Sequence, residues 1–375
     1  MGKKRGYYIH FDARQSSGVS KKIDMQMKEL GRQFSIEEIQ ITASHRSLMQ
    51  RVIGLFPLAS IAREYERALH QIETPDFIYM RRAVADHDYM QFLKEVKDRY
   101  PECKIIVEIF TYPYDRDDFG KWNAWPFYLK ELLYRKKYKE YLGRFVTYSN
   151  DKEIFGVPTI CTTNGVDTSQ FQIVSGAYRF DQITLIGVAY MQRQHGYERI
   201  IRGLRAYYKQ KGFTKRVYLY LAGDGPEKKY YQQLVKKYGL EAYVKFFPNQ
   251  TGEALDQLYE QADIALASFG FYKAGVYHSN SSLKVCECLA KGLPFVTGCS
   301  ISGIEETCPY MLLFPNGKGI VDICQIVTWF EKLQRNENGE GEMAKSIRKF
   351  AEKKFDMKVV MRPVIQYIES VKDNA

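Results

Sequence analysis

The sequence predicts an α/β protein of two doubly wound domains, in which helices cover both faces of a mostly parallel sheet. Three observations lead to this prediction. Short apolar runs alternate with helical patterns along the chain. The length of 375 residues exceeds what one ordinary hydrophobic core supports. Near residues 168–182 the alternation lapses into Ser, Gly and Gln, which separates two halves of similar organisation.

The first half alternates strand and helix patterns from its N-terminus. Short apolar runs predict the strands, and residues with a helical period predict the helices. The predicted strands are residues 7–11, 76–80, 104–109, 144–148 and 158–162, and the predicted helices are residues 20–30 and 89–100. Strands that alternate with helices imply parallel pairing through crossover connections.

The second half repeats this organisation more strongly. The predicted strands are residues 183–188, 217–222, 244–247, 263–267 and 294–297, and the predicted helices are residues 197–209, 227–238, 252–261 and 283–290. A last helical stretch, residues 341–371, lies beyond the second sheet. We therefore expect a first domain of residues 1–175, a second of residues 176–345, and a C-terminal helix in residues 346–375.

Composition limits the class of protein. The chain is 45% apolar and 26% charged, with a formal net charge of +11, which leaves nucleic acid, an anionic membrane and phosphorylated substrates open as partners. No nucleic-acid-binding motif occurs, and the basic residues are spread over both halves, so we expect no nucleic acid. Seven cysteines without a C-x-x-C pair predict reduced thiols in a cytoplasmic protein. No apolar run reaches 18 residues, so no transmembrane helix is expected.

The most informative segment is residues 280–294. Ser281 and Ser282 are candidate N-cap residues of a short helix, and Gly292 follows it as a C-terminal glycine. Lys284 lies in the first turn, where a cation opposes the helix dipole by roughly 0.3–1 kcal/mol. A bound diphosphate would reverse that effect, because the helix N-terminus and the ammonium group both attract anions.

Glu287 stands three residues after Lys284 and therefore lies on the same side of the helix. Its carboxylate could accept hydrogen bonds from the ribose hydroxyls of a nucleotide. The simpler interpretation is a solvated Lys–Glu pair on an ordinary helix. The rest of the sequence decides between the two interpretations.

Further motifs accompany this helix in a fixed order. They are residues 18–20, 164–167, 223–226, 244–247, 258–259, 262–264 and 290–294. With them the chain resembles the family 4 retaining glycosyltransferases, and residues 108–115 resemble members that assemble bacterial surface polysaccharides. The resemblance implies the GT-B fold: two Rossmann-like domains facing across a cleft, with the C-terminal helix crossing back to the first domain.

The resemblance also implies an activity and its residues. The donor would be a UDP- or GDP-linked sugar, without a metal or other cofactor, and the first domain would bind a glycan or lipid-linked acceptor. Lys284 would contact the donor diphosphate and Glu287 the ribose, and His195 would join them in catalysis through hydrogen bonds to phosphate, with a charge that titrates near neutrality. The other donor-binding positions implied are Gly18, Gly223, Pro248, Ser281, Ser282 and Leu283.

The sequence departs from the family pattern where the donor is expected to bind. The family has two carboxylates eight residues apart, but Ser279 occupies the position of the first. An Arg and a Lys that hold the diphosphate in the family correspond here to Ala189 and His195. These departures leave an alternative open, a catalytically inactive GT-B subunit that binds a partner or a glycan. A nucleotide-sugar epimerase is a further alternative on this fold.

Two other signals lie in the first half. Residues 86–88 and 115–117 each read D-x-D, a metal signature in other glycosyltransferases, for which solvated loop acids are the favoured interpretation. Basic and aromatic residues interleave over residues 121–144. They predict either an amphipathic helix that contacts the anionic inner face of a membrane or a helix with packed rings and solvated lysines.

Overall fold

The architecture was analysed in a computed structural model, which describes residues 2–11, 17–42, 48–56, 63–115, 119–120, 124–175, 179–210, 212–274, 281–336 and 341–370. The chain forms two compact units, one of Met1–Thr163 with Met357–Ala375, the other of Asn164–Asp356. Each unit has its own, mainly parallel sheet, so the predicted α/β class with two Rossmann-like domains is confirmed.

The sheet of the first unit has seven strands. They are β1 (Arg5–Phe11), β2 (Ser35–Ile41), β3 (Phe77–Arg81), β4 (Lys104–Ile109), β5 (Arg144–Thr147), β6 (Glu153–Ile154) and β7 (Val157–Cys161). Their order is β2-β1-β3-β4-β5-β7-β6, and among these described strands only β6 and β7 pair antiparallel. Because side chains alternate between the two faces, Tyr7 and Ile9 enter one core and Tyr8 the other.

Helices cover this sheet on both faces. Those in the N-terminal part of the chain are α1 (Ser17–Gly31), α2 (Leu48–Ile53), α3 (Arg63–Gln71), α4 (His87–Arg99), α5 (Trp125–Tyr134) and α6 (Tyr138–Tyr141). α1 lies on one face, where Ile23 and Leu30 pack with Tyr8. α3 and α4 lie on the other, where Leu69 and Leu93 join the core.

The sheet of the second unit has six parallel strands. They are β8 (Gln182–Val188), β9 (Arg216–Ala222), β10 (Val244–Phe247), β11 (Ile264–Leu266), β12 (Phe295–Thr297) and β13 (Met311–Leu313), in the order β10-β9-β8-β11-β12-β13. The described helices around it are α7 (Glu198–Lys209), α8 (Lys228–Tyr238), α9 (Gly252–Glu260), α10 (Leu283–Ala290), α11 (Ile323–Asn336) and α12 (Glu342–Phe355).

The C-terminal helical stretch is divided between the two units. α12 ends at Phe355, and the extended backbone of Asp356 (ψ 137°) separates it from α13 (Met357–Glu369). α13 belongs to the first unit, where Met361 and Ile365 pack in the same core as α1. None of the described helices is both long and apolar enough to cross a membrane.

The borders of the units differ from those read from the sequence. They lie after residues 163 and 356 rather than after residues 175 and 345. The segment after Thr163 joins the second unit because the backbone of Val166 pairs with Asp356 and the Arg348 guanidinium donates to the carbonyl of Phe171 (2.8 Å). These contacts also keep residues 346–356 with the second unit.

Candidate donor-binding site

The second sheet has a topological switch point beside β8. From β8 the chain proceeds to β9 and β10 on one side, and then crosses to β11, β12 and β13 on the other. Loops that leave β8 and β11 therefore run in opposite directions and open a crevice at the carboxyl ends of these strands, where doubly wound sheets bind ligands. The candidate site is built around this crevice.

Backbone hydrogen bonds join the loops that follow β8 and β11. The N–H of Phe269 donates to the carbonyl of His195 (2.9 Å), and the N–H of Gly270 donates to that of Gln194 (3.0 Å). Gly196 adopts a left-handed conformation (φ 62°), and a Cβ there would lie 2.6 Å from the nitrogen of Gly270. The short 3-10 helix Arg193–His195 is therefore held firmly at the switch point, with the His195 side chain buried.

Gly223 places the turn after β9 against the loop after β8. Its φ of 125° disfavours other residues, and a Cβ there would lie 2.0 Å from the carbonyl oxygen of Ala189. The main chain of Met191 in turn accepts from Glu227 (3.0 Å). Ala189, which the resemblance aligns with a phosphate-binding Arg, is 6% exposed.

Helix α10 begins at Ser282, but neither predicted serine caps it through its side chain. Ser282 holds the N-cap position without a side-chain cap hydrogen bond. The hydroxyl of Ser281 instead accepts from the backbone N–H of Asn164 (2.8 Å), and its carbonyl accepts from the Asn164 side-chain amide (2.7 Å). Ser282 is therefore the N-cap residue, as predicted, whereas Ser281 binds the adjoining segment at Asn164.

The end of α10 follows the predicted glycine stop. Gly292 is left-handed (φ 82°), its N–H donates to the carbonyl of Leu289, and the N–H of Leu293 donates to that of Cys288, both at 3.0 Å. This pair of bonds is a Schellman motif. A Cβ at Gly292 would lie 2.6 Å from the carbonyl of Ala344, so the same glycine lets α10 pack closely on α12.

Lys284 and His195 meet in this site, 89 residues apart in the chain. The Lys284 Nζ lies 2.7 Å from the His195 Nε2, and the His195 Nδ1 accepts from the backbone N–H of Gln192 (3.0 Å). The pKa of His195 is lowered to about 3, mainly by burial and to a smaller extent by the charge of Lys284. The expectation that His195 titrates near neutrality is therefore wrong, because the site withholds water from its charged form.

The pKa of Lys284 is lowered as well, to about 8, by burial. Cys288 and Glu287 of the same helix oppose this shift by favouring the ammonium. Glu287 is half-buried, one turn after Lys284, which agrees with a shared side of α10. The simple interpretation of a solvated Lys–Glu pair is wrong for Lys284, whose amine contacts a buried imidazole.

The remaining predicted donor residues are spread more widely. Leu283 is the first residue of α10, and Pro248 is exposed directly after β10. Gly18 is the second residue of α1 and belongs to the first unit. Ser279 lies outside the described residues.

The first D-x-D sequence does not present two solvated loop acids, because Asp86 is a helix cap and Asp88 is buried. Asp86 caps α4 by accepting from the N–H of Tyr89 (2.9 Å). Asp115 accepts from the guanidinium of Arg135 (2.8 Å), and Asp117 lies outside the described residues. Within the described ranges, no group of three or more His, Cys, Asp or Glu side chains is placed to hold a metal ion.

The first unit contains a buried ionic cluster that was not predicted from the sequence. Glu108 of β4 is fully buried, and its carboxylate accepts from Lys22 (3.0 Å), Arg81 (3.0 Å), Gln26 (3.0 Å) and the hydroxyl of Tyr148. Despite burial, these partners lower the pKa of Glu108 to about 2. The available signal was an acid inside an otherwise apolar strand, which requires a buried partner.

Residues 121–144 combine features of both predicted alternatives. Tyr134 and Tyr138 are packed inside the first unit, and Lys130 is buried. Arg135 lies over the ring of Phe155, 4.8 Å from its centroid. The outer face of α5 is apolar rather than basic, and we call it the α5 stripe: Trp125, Leu129, Leu132 and Leu133.

Comparison with known proteins adds a family match to this geometry. Residues 174–309, which include Lys284, His195 and Gly223, match the family model described as Glycosyl transferases group 1. A search of curated proteins gave no match. The fold of the chain is GT-B, as solved structures of similar architecture show.

Three of these structures match along nearly their whole length. They are sucrose-phosphate synthase from Thermosynechococcus elongatus (14% identity, TM-score 0.63, 97% of this chain and 98% of that chain), a glycosyltransferase from Rickettsia africae (10%, 0.64, 100% and 100%) and Anabaena HepE in complex with UDP-glucose (12%, 0.60, 97% and 100%). At such identities the likeness establishes the fold alone.

Proposed function

We propose that this protein is a glycosyltransferase that moves a sugar from a nucleotide diphosphate sugar to an acceptor. The observation that carries the proposal is the meeting of Lys284 and His195 at the switch point, inside the segment that matches the glycosyltransferase family model. The similar structure of Anabaena HepE is recorded with UDP, with UDP and glucose, and with UDP-glucose, which favours a UDP-linked donor over a GDP-linked one.

The proposed chemistry follows from charge on the leaving group. Negative charge grows on the diphosphate as the bond to the sugar breaks, and fixed donors aimed at that charge lower the barrier. Lys284 in its ammonium form and the first N–H groups of α10 would bind the diphosphate, where they take the place of a metal ion. His195 would donate from Nε2, and Glu287 would accept from the ribose hydroxyls.

We also propose a role in polysaccharide assembly, with transfer in the retaining manner of family 4. The acceptor, a glycan or a lipid-linked glycan, would bind to the first unit. One similar structure supports this choice: the lipopolysaccharide outer core galactosyltransferase WaaB (12% identity, TM-score 0.60, 97% of this chain and 99% of that chain).

A catalytically inactive GT-B subunit is the second candidate. Ala189 favours it, because its short apolar side chain offers no charge to the diphosphate and its main chain is packed against Gly223. Such a subunit would bind a glycan or a protein partner without transferring sugar.

Separate measurements of donor binding and transfer distinguish the two candidates. We expect UDP to bind in calorimetry and a UDP-sugar to be consumed in the presence of a glycan acceptor, with Lys284→Met losing both. Binding without consumption across a panel of UDP- and GDP-sugars and acceptors would support the inactive subunit. Absence of nucleotide binding would contradict the donor site itself.

For the first unit we propose contact with an anionic membrane surface through the α5 stripe. Its members are 38–57% exposed and recur at helical spacing, so they present one apolar face. Lys136, Lys137 and Lys139 follow directly and are exposed. An apolar face bordered by lysines is complementary to a bilayer surface that carries anionic headgroups. The protein would then lie in the cytoplasm, at the inner face of the membrane.

Vesicle sedimentation tests this contact. Leu132→Glu with Leu133→Glu should weaken binding to vesicles that contain anionic lipid, because charge replaces the apolar contact. Phe180→Glu is the matched control, since Phe180 is 91% exposed in the second unit and should not matter. Equal binding of both variants and the parent protein would exclude the α5 stripe as the contact.

A further inference from the structure

The contact between His195 and Lys284 fixes how many protons the two side chains share. A neutral imidazole carries one N–H, so only one of its nitrogens can accept a hydrogen bond. The His195 Nδ1 already accepts from the backbone N–H of Gln192 (3.0 Å), which places the imidazole proton on Nε2. The Nε2–H then points at the Lys284 nitrogen, 2.7 Å away, which must act as acceptor.

Only an uncharged amine has a lone pair that can accept this hydrogen bond. An ammonium at the same place would oppose the Nε2–H with its own hydrogens. Transfer of the imidazole proton to Nδ1 would relieve that conflict but set the Nδ1–H against the N–H of Gln192. The observed contacts are therefore satisfied together only when Lys284 is neutral.

The described surroundings of Lys284 do not supply a strong countercharge. Glu287 and Cys288 of α10 favour the ammonium form, but the effect of burial is larger. The ring of Tyr197 lies beside His195, with the centroids 5.8 Å apart, and brings no charge at neutral pH. A nucleotide diphosphate would bring the countercharge that the free site lacks.

We propose that a nucleotide diphosphate binds together with a proton, which Lys284 takes up, and that His195 is the positioning residue that favours the neutral amine in the free protein. This inference rests on the proposed function, because it concerns the same site. When the diphosphate arrives, the amine becomes an ammonium, which donates to phosphate, and the His195 Nε2–H is released to donate to the ligand.

Calorimetry of UDP binding in two buffers that differ in ionisation enthalpy measures the proton uptake. At about pH 8.5, half a unit above the lowered pKa of Lys284, we expect uptake of about 0.7 proton per UDP. The terminal phosphate of UDP makes no contribution there, because its second pKa is near 6. Uptake should decrease to about 0.1 at about pH 7, where Lys284 is already charged.

Two variants test whether UDP binding is coupled to proton uptake by Lys284, and whether His195 does more than pack in the site. Lys284→Arg should bind UDP without proton uptake, because a guanidinium is always charged. His195→Gln should bind with reduced uptake, because the glutamine carbonyl can accept from a charged Lys284 and only burial then disfavours the ammonium. A packing role alone would leave the uptake of His195→Gln unchanged, and that result would overturn the positioning role.

The possible failures are distinct. UDP binding without any buffer dependence at about pH 8.5 would overturn the inference and leave the proposed function intact. Absence of UDP binding by the folded protein would overturn the proposed donor site and, with it, the inference.

Discussion

Lys284 is a basic residue at a helix start, where the helix dipole disfavours its charged form and burial lowers its pKa. A lysine in this position contributes little to the stability of the free protein, but it contributes strongly to the free energy of binding an anion. Lys284→Met should therefore lower kcat/KM by about 30- to 900-fold, the equivalent of about 2–4 kcal/mol for one preorganised donor. Steady-state transfer from a UDP-sugar measures the loss, and circular dichroism should show an intact fold. Turnover at the parental rate would remove the leaving-group role.

Glu287 is expected to act on binding rather than on the chemical step. Glu287→Gln keeps the shape and one acceptor oxygen, so the ribose contact should weaken without loss of the charge at the diphosphate. We expect KM for the donor to increase while kcat stays within a few-fold of the parent, because the contact is the same in the ground and transition states. A fall in kcat at unchanged KM would assign Glu287 to catalysis instead.

At the scale of single residues, the sequence predicted which residues belong to the candidate donor site but not which side chains they contact. Lys284 in a first turn and Gly292 as a stop follow from local rules, since both depend on neighbours within one helix. The contact with His195 depends on how loops after two different strands meet, which no local pattern encodes. The partner of the Ser281 hydroxyl could not be predicted for the same reason, because Asn164 lies 117 residues away.

Among the strands and helices, the sequence predicted best those whose residues are buried along most of their length. β1 and β4 are buried along nearly their whole length, and their apolar runs were recognised. β2 was missed because S-I-E-E-I-Q-I buries only Ile39 and Ile41 at the edge of the sheet. β13 was missed as well, and of its three residues only Met311 is buried, whereas all three residues of β11 and of β12 are buried. The final helical stretch was predicted as one segment, although an extended residue at Asp356 divides it.

The ionic cluster of Glu108 ties α1, β3 and β4 together, and its stability depends on pH. The pKa of Glu108 is lowered from 4.5 to about 2, so the carboxylate stabilises the fold above about pH 4.5 and this stability is lost as pH falls through about 2. A shift of this size corresponds to about 3 kcal/mol. Urea denaturation between about pH 2 and 6 should show the first unit losing stability on this scale.

Glu108→Gln provides the matched test of that assignment. It should destabilise the first unit at neutral pH by about 3–5 kcal/mol, because Lys22 and Arg81 would remain buried without their acid. It should also remove this part of the acid dependence. An acid profile identical to that of the parent would show that other carboxylates cause it.

At the scale of the whole molecule, the candidate donor site lies within one unit. Lys284, His195, Gly223 and Asn164 all belong to the second unit, although Asn164 directly follows the last residue of the first unit's N-terminal part. The sequence predicted two halves of α/β organisation because the alternation of strands and helices is long and regular. The compact units have other borders than those predicted, because tertiary contacts of Val166 and Arg348 fix them, and these contacts leave no local composition signal.

The C-terminal helix α13 gives the last prediction, because it is distant in sequence from the unit that it completes. Met361, Val364 and Ile365 cover a core that includes Tyr8 and Ile106, so a chain that ends at Asp356 would expose that face of the first sheet. We expect the first unit of this truncated chain to unfold at a lower temperature, in a calorimetric transition separate from that of the second unit.

UDP distinguishes the two transitions, because it should raise only the unfolding temperature of the second unit, to which it binds. A chain that ends at Ser370 is the matched control, since it keeps α13 and the hydrogen bond from Lys104 to the carbonyl of Ser370 (2.6 Å). This control should unfold like the full chain. If the chain that ends at Asp356 also did so, α13 would be dispensable to the first unit, and the apolar face that it covers would contribute far less than its burial implies.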